Sequence, residues 1–339
     1  MNARNLRFAV LGVGRIGKIH AGNLRARIAG AELAALADVF TDELKTVAEK
    51  LGVSRTAMNY KDLINSADID AIVVCTPTET HYQIILDAAA AGKHIFCEKP
   101  LELSIARIKK IIEVVEQSGV QLMVGFNRRF DPNFSKILKM VEAGKVGEPH
   151  ILRITSRDPA PPPENYLRAS GGIFLDMTIH DFDMARFLMG SEVIEVYAKA
   201  NVLVDPVFQK VGDWDTAVVT LQFENGALGT IDNSRKAVYG YDQRIEVFGS
   251  EGMVAVQNRT PDTHVHLDQG GSHSSLPLNF FLERYAESYL KEMQAFVNAV
   301  RDREPAPVSG KDGLRSVMIG LAAAKSAKEN RAVKLTEIS

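Results

Sequence analysis

The stretch LRFAVLGVGRIG, Leu6 to Gly17, decides the fold of the first half of the molecule. Leu6–Leu11 reads as a short buried strand and Arg15–Ala26 as an amphipathic helix, with Gly12-Val13-Gly14-Arg15-Ile16-Gly17 turning between them. In that setting each glycine has a task. Gly12 permits the tight turn, Gly14 lets backbone approach a pyrophosphate, and Gly17 lets helix and strand pack closely. The helix N-terminus then offers its free N–H donors to phosphate. Val13, Arg15 and Ile16 ride on the same turn and join the candidate cofactor-binding residues. Asp38 stands 21 residues after Gly17, at the end of a second strand, where a carboxylate can accept from both ribose hydroxyls. That charge repels a 2′-phosphate, and Val39 and Phe40 bring no arginine to offset it, so NAD is expected over NADP.

Working outward, further strands read at Glu32–Asp38, Ala71–Cys75, His94–Cys97 and Leu122–Val124, alternating with helical patterns at Thr41–Leu51, His81–Ala91 and Ser104–Ser118. Ser104 sits where a capping side chain belongs, and Gly119 closes that helix. Alternation of strand and helix predicts a doubly wound parallel sheet, a Rossmann domain. In such sheets the carboxyl ends of the strands face the ligand crevice. Thr76, Pro77, Thr78, Glu98 and Lys99 should therefore line the cofactor, and His81, at the start of the next helix, and Val39, beside Asp38, join the candidate cofactor-binding residues.

After Gly125 the pattern changes. A helix at Pro132–Ala143 and a strand at His150–Ser156 precede DPAPPPENYLRASGG, whose prolines from Pro159 to Pro163 predict an ordered, extended loop. One helix is expected from Gly172 to Met189. Strands without intervening helices follow at Val193–Asn201, Ala217–Phe223, Gly226–Ser234, Gln243–Phe248 and Met253–Gln257. The expected second domain is α+β, with a large, mostly antiparallel open sheet. Helices at Phe280–Arg301 and Lys311–Asn330 and a short strand at Ala332–Leu335 end the chain. The division expected is residues 1–125 and 126–339, with the helix at about 311–330 free to pack back on the first domain.

The 339 residues carry 40 Lys and Arg against 42 Asp and Glu, a net charge of −2. That balance excludes a broad basic field for nucleic acid or an anionic membrane. Two cysteines, Cys75 and Cys97, exclude a disulfide framework and a CxxC pair and favour a cytoplasmic location. No apolar run reaches the length of a membrane span, and the residues before Leu6 offer no signal-peptide core.

Two segments outside the glycine turn carry titratable groups suited to chemistry. Lys99, in Glu98-Lys99-Pro100, puts a long cation at a strand end, where it can polarise a reacting oxygen. In DMTIHDFD, Asp176 and His180 are four apart on the expected helix, a turn apart on one face, with Asp183 three beyond. A histidine oriented by a carboxylate can take and give a proton; acids that merely complement the helix dipole are the alternative reading for Asp181 and Asp183. No metal is expected here, because the spacing matches no settled ligand set, and His264-x-His266 reads as part of an exposed hairpin or loop.

Taken together, GVGRIGKIH, the strand-end EKP and GGIFLDMTIHDFDMARFLMG resemble the Gfo/Idh/MocA family of NAD(P)-dependent oxidoreductases, from Leu6 to about Leu335. Within it, SRDPAPPPENYLRASGGIFLDMTIHDFDM and VYGYDQRIEVFGSEGM are similar to members acting on inositol. The resemblance implies joint action of Lys99, Asp176 and His180, a cis bond at Lys99–Pro100, and a homo-oligomer, commonly a tetramer, built on the open sheet. The activity it implies is oxidation of a ring hydroxyl of myo-inositol to 2-keto-myo-inositol. A polyol needs further donors and acceptors, for which Arg129, Asp158 and Tyr239 are the candidates beside the trio. Oxidation of another inositol or an aldose, a glycosidase using NAD transiently, and a cofactor-sensing regulator are the competing readings.

Overall fold

The computed structural model describes residues 4–338; residues 1–3, read above for an export signal, lie outside them. Two compact units emerge, Met1–Phe130 with Glu287–Arg315, and Asp131–Ala286 with Ser316–Ser339. The helix Gly310–Glu329 thus begins in the first and continues in the second.

The first unit holds β1 (Leu6–Leu11), β2 (Ala31–Ala37), β3 (Thr56–Ala57), β4 (Ala71–Val74), β5 (His94–Glu98) and β6 (Leu122–Gly125). They form one parallel sheet in the order β3-β2-β1-β4-β5-β6, which places the strand reversal between β1 and β4, where dinucleotides bind in this architecture. Residues 8–11 of β1 and all of β4 and β6 are buried, which is why these stretches read as unbroken apolar runs. The two-residue β3 and the helix Lys61–Ile64 were not foreseen, because neither is long enough to show a period. Ser104 does occupy the N-cap of helix Ile105–Ser118, but its side chain makes no capping bond. Glu102 Oε1 instead accepts from Leu103 N and Ser104 N, the backbone just ahead of the helix, at 2.7 and 3.2 Å.

The second unit is built on β7 (Pro149–Arg157), β8 (Val193–Asn201), β9 (Thr216–Phe223), β10 (Leu228–Ser234), β11 (Asp242–Gly249) and β12 (Gly252–Val256). An exposed hairpin, β13 (Val265–Asp268) and β14 (Gly271–Ser274), carries His266 and His273 in solvent, with His264 just before it. With β15 (Val333–Lys334) the large sheet runs β12-β11-β7-β10-β9-β8-β15, where β7 and β10 are parallel and every other neighbouring pair antiparallel. Burial alternates residue by residue along β9, so one face is core and the other open. Val218, Leu228, Phe248 and Met253 are exposed apolar side chains on that sheet.

Three expectations for this half need correction. The proline stretch is extended only to Pro163, which becomes the N-cap of a helix, Glu164–Ala169. The chain at 280–301 is two helices, Phe281–Arg284 and Ala286–Asp302, broken at Tyr285. The helix expected from Gly172 to Met189 is also two, Ile173–Asp176 and Ile179–Met189. Thr178 N reaches back five residues to Ile173 O at 2.9 Å, and the Thr178 hydroxyl sits 3.1 Å from the same carbonyl. A hydroxyl competing for a backbone carbonyl widens the turn and ends the regular ladder there. The simple argument that Asp176 and His180 share one helical face therefore does not hold.

Candidate active site

In the first unit the glycine turn has the shape that dinucleotide binding demands. Gly12 has φ +88°, and a Cβ there would stand 2.7 Å from Cys75 O, inside contact distance. A Cβ on Gly17 would stand 1.9 Å from Gly12 O, so helix and turn touch without room for a methyl group. Gly14 differs, for a Cβ on it would meet nothing within 4 Å. It is also the N-cap of helix Arg15–Ala26, with no side-chain cap and no acid in the first turn. Exposed N–H donors and open space without a competing carboxylate are what a pyrophosphate requires. Asp38 closes the site, its Oδ2 accepting from Val13 N at 2.7 Å and its Oδ1 from Phe40 N at 2.9 Å. The carboxylate thus braces the turn at the strand end where ribose recognition is expected, and exposed Val39 and Phe40 follow it.

Behind the strand ends lies His81, fully buried, with Nε2 2.9 Å from Thr76 O and Nδ1 3.0 Å from Pro100 O. Burial lowers its pKa, the carbonyls opposing. His81 ties the Thr76-Pro77-Thr78 segment to the loop after Lys99, and its contribution is to hold both strand ends in place. The Lys99–Pro100 bond is cis, as the resemblance implied. Glu98 turns toward His20, whose Nε2 lies 2.7 Å from Glu98 Oε1. Arg129 donates to Asp312 Oδ1 at 2.9 Å, and this pair, with bonds from Ser309, holds the half-buried Asp312 down at about 2.

In the second unit Asp176 is the hub of a network that is buried at Asp176 and Arg235 and open to solvent at Tyr166. Tyr166 donates to its Oδ1 at 2.7 Å and Arg235 to its Oδ2 at 2.9 Å, while Arg235 also reaches Asp158 Oδ2 at 3.2 Å. Arg235 is only 3% exposed. Burial alone would lower its pKa, and the Asp176 and Asp158 charges more than reverse that, so the guanidinium is held charged. Burial pushes the Tyr166 hydroxyl well up, with Asp176 adding to it, so the phenol remains a donor. Asp213 Oδ1 accepts from Ile173 N at 3.0 Å and so seats the short helix that ends in Asp176. On the other side of the break, Asn233 of β10 donates to Asp181 Oδ2 at 2.8 Å and meets the Thr178 hydroxyl at 2.7 Å. Asp181, in the first turn of helix Ile179–Met189, is therefore a buried, hydrogen-bonded acid and not a solvated one. Tyr239 donates to Asp242 at 2.6 Å and accepts from Arg157 at 3.0 Å.

Sequence reasoning missed Arg235 and Tyr166. Neither stands in a motif: Arg235 follows β10 and meets Asp176 from 59 positions away. Tyr166 could have been suspected only from its place in the helix after the prolines. The reading also passed over His20 and Glu292, which gather with Glu98, read above only as a cofactor-lining residue; the nitrogen and carboxylate atoms of the three lie within 4.8 Å of one another.

A parallel sheet with this turn, joined to an α+β unit holding an Asp/Arg/Tyr network before a histidine, defines a dinucleotide-dependent oxidoreductase. The chain belongs to the Gfo/Idh/MocA family: residues 6–126 match the NAD-binding Rossmann fold of that oxidoreductase family, and residues 134–255 its C-terminal domain. It is 54% identical to myo-inositol 2-dehydrogenase of Thermotoga maritima, over 98% of this chain and 99% of that one. Identity to inositol 2-dehydrogenase of Rhizobium meliloti is 45%, over 97% and 99%. Among solved structures, scyllo-inositol dehydrogenase from Lactobacillus casei with bound NAD(H) and scyllo-inositol superposes with a TM-score of 0.92 at 32% identity, covering 98% of this chain and 100% of that one.

Proposed function

We propose that the protein oxidises the C2 hydroxyl of myo-inositol to the ketone, giving 2-keto-myo-inositol, NADH and a proton. The observation that carries this reading is that one chain holds both the glycine turn with Asp38 and the braced Asp176 ahead of His180, and is similar, over nearly its whole length, to a myo-inositol 2-dehydrogenase. NAD, when bound, supplies the hydride acceptor. The residues that would hold it are Gly12 to Gly17 at the phosphates and Asp38 at the ribose.

The remaining work belongs to side chains of this chain. His180 takes the hydroxyl proton, a task suited to an imidazole near neutral pH. Asp176, fixed by Tyr166 and Arg235, favours the cationic imidazole that results. Lys99 hydrogen-bonds the same oxygen and favours its alkoxide-like character as the carbon–hydrogen bond breaks. Asp158, joined to Arg235, and Tyr239 are the proposed contacts for the remaining hydroxyls, whereas Arg129 serves the Asp312 pair and is retained only as a secondary candidate.

The exposed apolar side chains on the open sheet fit a self-association surface, and a homo-oligomer, a tetramer as the resemblance implies, is part of the proposal. So is a cytoplasmic location, consistent with two free cysteines. Among the described residues no helix is long and apolar enough to cross a membrane. An initial-rate panel of myo-, scyllo- and D-chiro-inositol, glucose and xylose with NAD and NADP tests the substrate. The highest specificity constant is expected for myo-inositol with NAD, and a higher one for any other polyol overturns the choice.

A further inference from the structure

Three ionisable side chains are enclosed within the first unit, in the core behind β5. His20 is fully buried on the inner face of helix Arg15–Ala26, one turn after Gly17. Glu98 is the last residue of β5, and Glu292 is fully buried on helix Ala286–Asp302. His20 Nε2 donates to Glu98 Oε1 at 2.7 Å and lies 3.9 Å from Glu292 Oε1. The ring is wedged edge-on between Phe96 and Tyr289. Glu98 Oε2 faces Gly125, where a Cβ would stand 3.0 Å from it, so the missing side chain at the end of β6 makes room for the carboxylate. The other titratable groups around the cluster are Tyr289 against the ring, the buried His81, on which the Glu98 charge acts, and the thiols of Cys75 and Cys97, both pushed up by burial.

Apolar residues of similar volume would fill this space at lower cost, so the cluster calls for a role. A shared metal ion does not explain it. A nitrogen and an oxygen 2.7 Å apart are at hydrogen-bond distance, and two ligands of one ion keep further from each other. What the cluster does span is the dinucleotide site: one hydrogen bond joins the helix that begins at the glycine turn to the strand end where Lys99 comes next.

We propose that His20 and Glu292 are positioning residues, His20 holding the Glu98 carboxylate and Glu292 backing the pair, so that the glycine helix and the Lys99 strand end keep one fixed spacing. This inference rests on the NAD reading above, and not on the choice of polyol. Glu292 serves as an uncharged acid: both its oxygens are buried without a hydrogen-bond partner, and burial followed by the Glu98 charge raises its pKa well above the carboxylate range.

The test pairs His20→Leu with His20→Gln, whose side-chain amide can donate near the place of Nε2, and reads NADH affinity by fluorescence together with kcat. His20→Leu is expected to weaken NADH binding and lower kcat on the order of 10–100-fold with an unchanged circular dichroism spectrum. His20→Gln is expected to restore most of the loss. A His20→Leu protein with wild-type affinity and kcat and only a lower Tm overturns the proposal. If His20→Leu does not fold, a cycle of His20→Asn, whose shorter amide falls short of Glu98, and Glu98→Gln decides it: coupling in NADH affinity supports the proposal and additivity refutes it. The infrared carbonyl band of a buried protonated acid should be present in the wild-type protein and lost in Glu292→Gln; persistence of the band in the variant contradicts the part assigned to Glu292. NADH binding needs no polyol. Wild-type protein that binds NADH but ignores myo-inositol therefore refutes only the substrate, and wild-type protein that binds no NADH refutes the reading beneath both.

Discussion

The glycine turn and the Asp176 segment do comparable work by opposite means. At Gly12 to Gly17 the working groups are backbone N–H donors, and the side chains matter by being absent. At Asp176 the working groups are side chains, held by Tyr166, Arg235 and Asp213, which come from a helix, the end of a strand and a loop. The first is a local design that a short motif can encode. The second is a network whose members meet only after the sheet has formed.

Substitutions should therefore fail differently in the two regions. The largest effect is expected for Gly17→Ala, because the new methyl group meets the Gly12 carbonyl, which backbone cannot yield cheaply. A fluorescence titration should find no NADH binding; retained binding would mean that the turn is softer than its contacts indicate. Next comes His180→Ala, which should lower turnover about 10²–10⁴-fold while NADH affinity stays unchanged. Equal turnover would remove His180 from the chemistry.

Arg235→Met should act on stability as well as rate. It leaves Asp176 and Asp158 without their cation, and breaking a buried pair from one side costs about 3–5 kcal/mol. Denaturant melts should show that loss, whereas His180→Ala should melt like wild type. The smallest effect is expected for Asp38→Ala, where the preference for NAD over NADP should fall on the order of tenfold through loss of charge-assisted bonds. An unchanged preference would locate discrimination elsewhere and leave Asp38 only its bond to Val13.

This contrast also explains what could be read in advance. Apart from the two-residue β3, the strands of the parallel sheet were legible to within a few residues, as were those from Val193 onward outside the exposed hairpin, because burial on two faces or on one leaves a period in the sequence. The break at Thr178 was not, since the competing hydroxyl leaves no trace in hydrophobic spacing. Helix Glu164–Ala169 hid behind prolines that also suit the start of a helix. Arg235 and Glu292 were invisible for a related reason: each looks like an ordinary charged residue until distant segments bring Arg235 its acids and enclose Glu292.

The central claim is that one hydride leaves C2 of myo-inositol for NAD. The most direct measurement uses myo-inositol deuterated at C2 and follows the label into the reduced cofactor by mass spectrometry. One deuteron per reduced cofactor, with slower turnover than for unlabelled substrate, is the predicted result. Reduced cofactor free of deuterium, or no reduced cofactor at all, would contradict it.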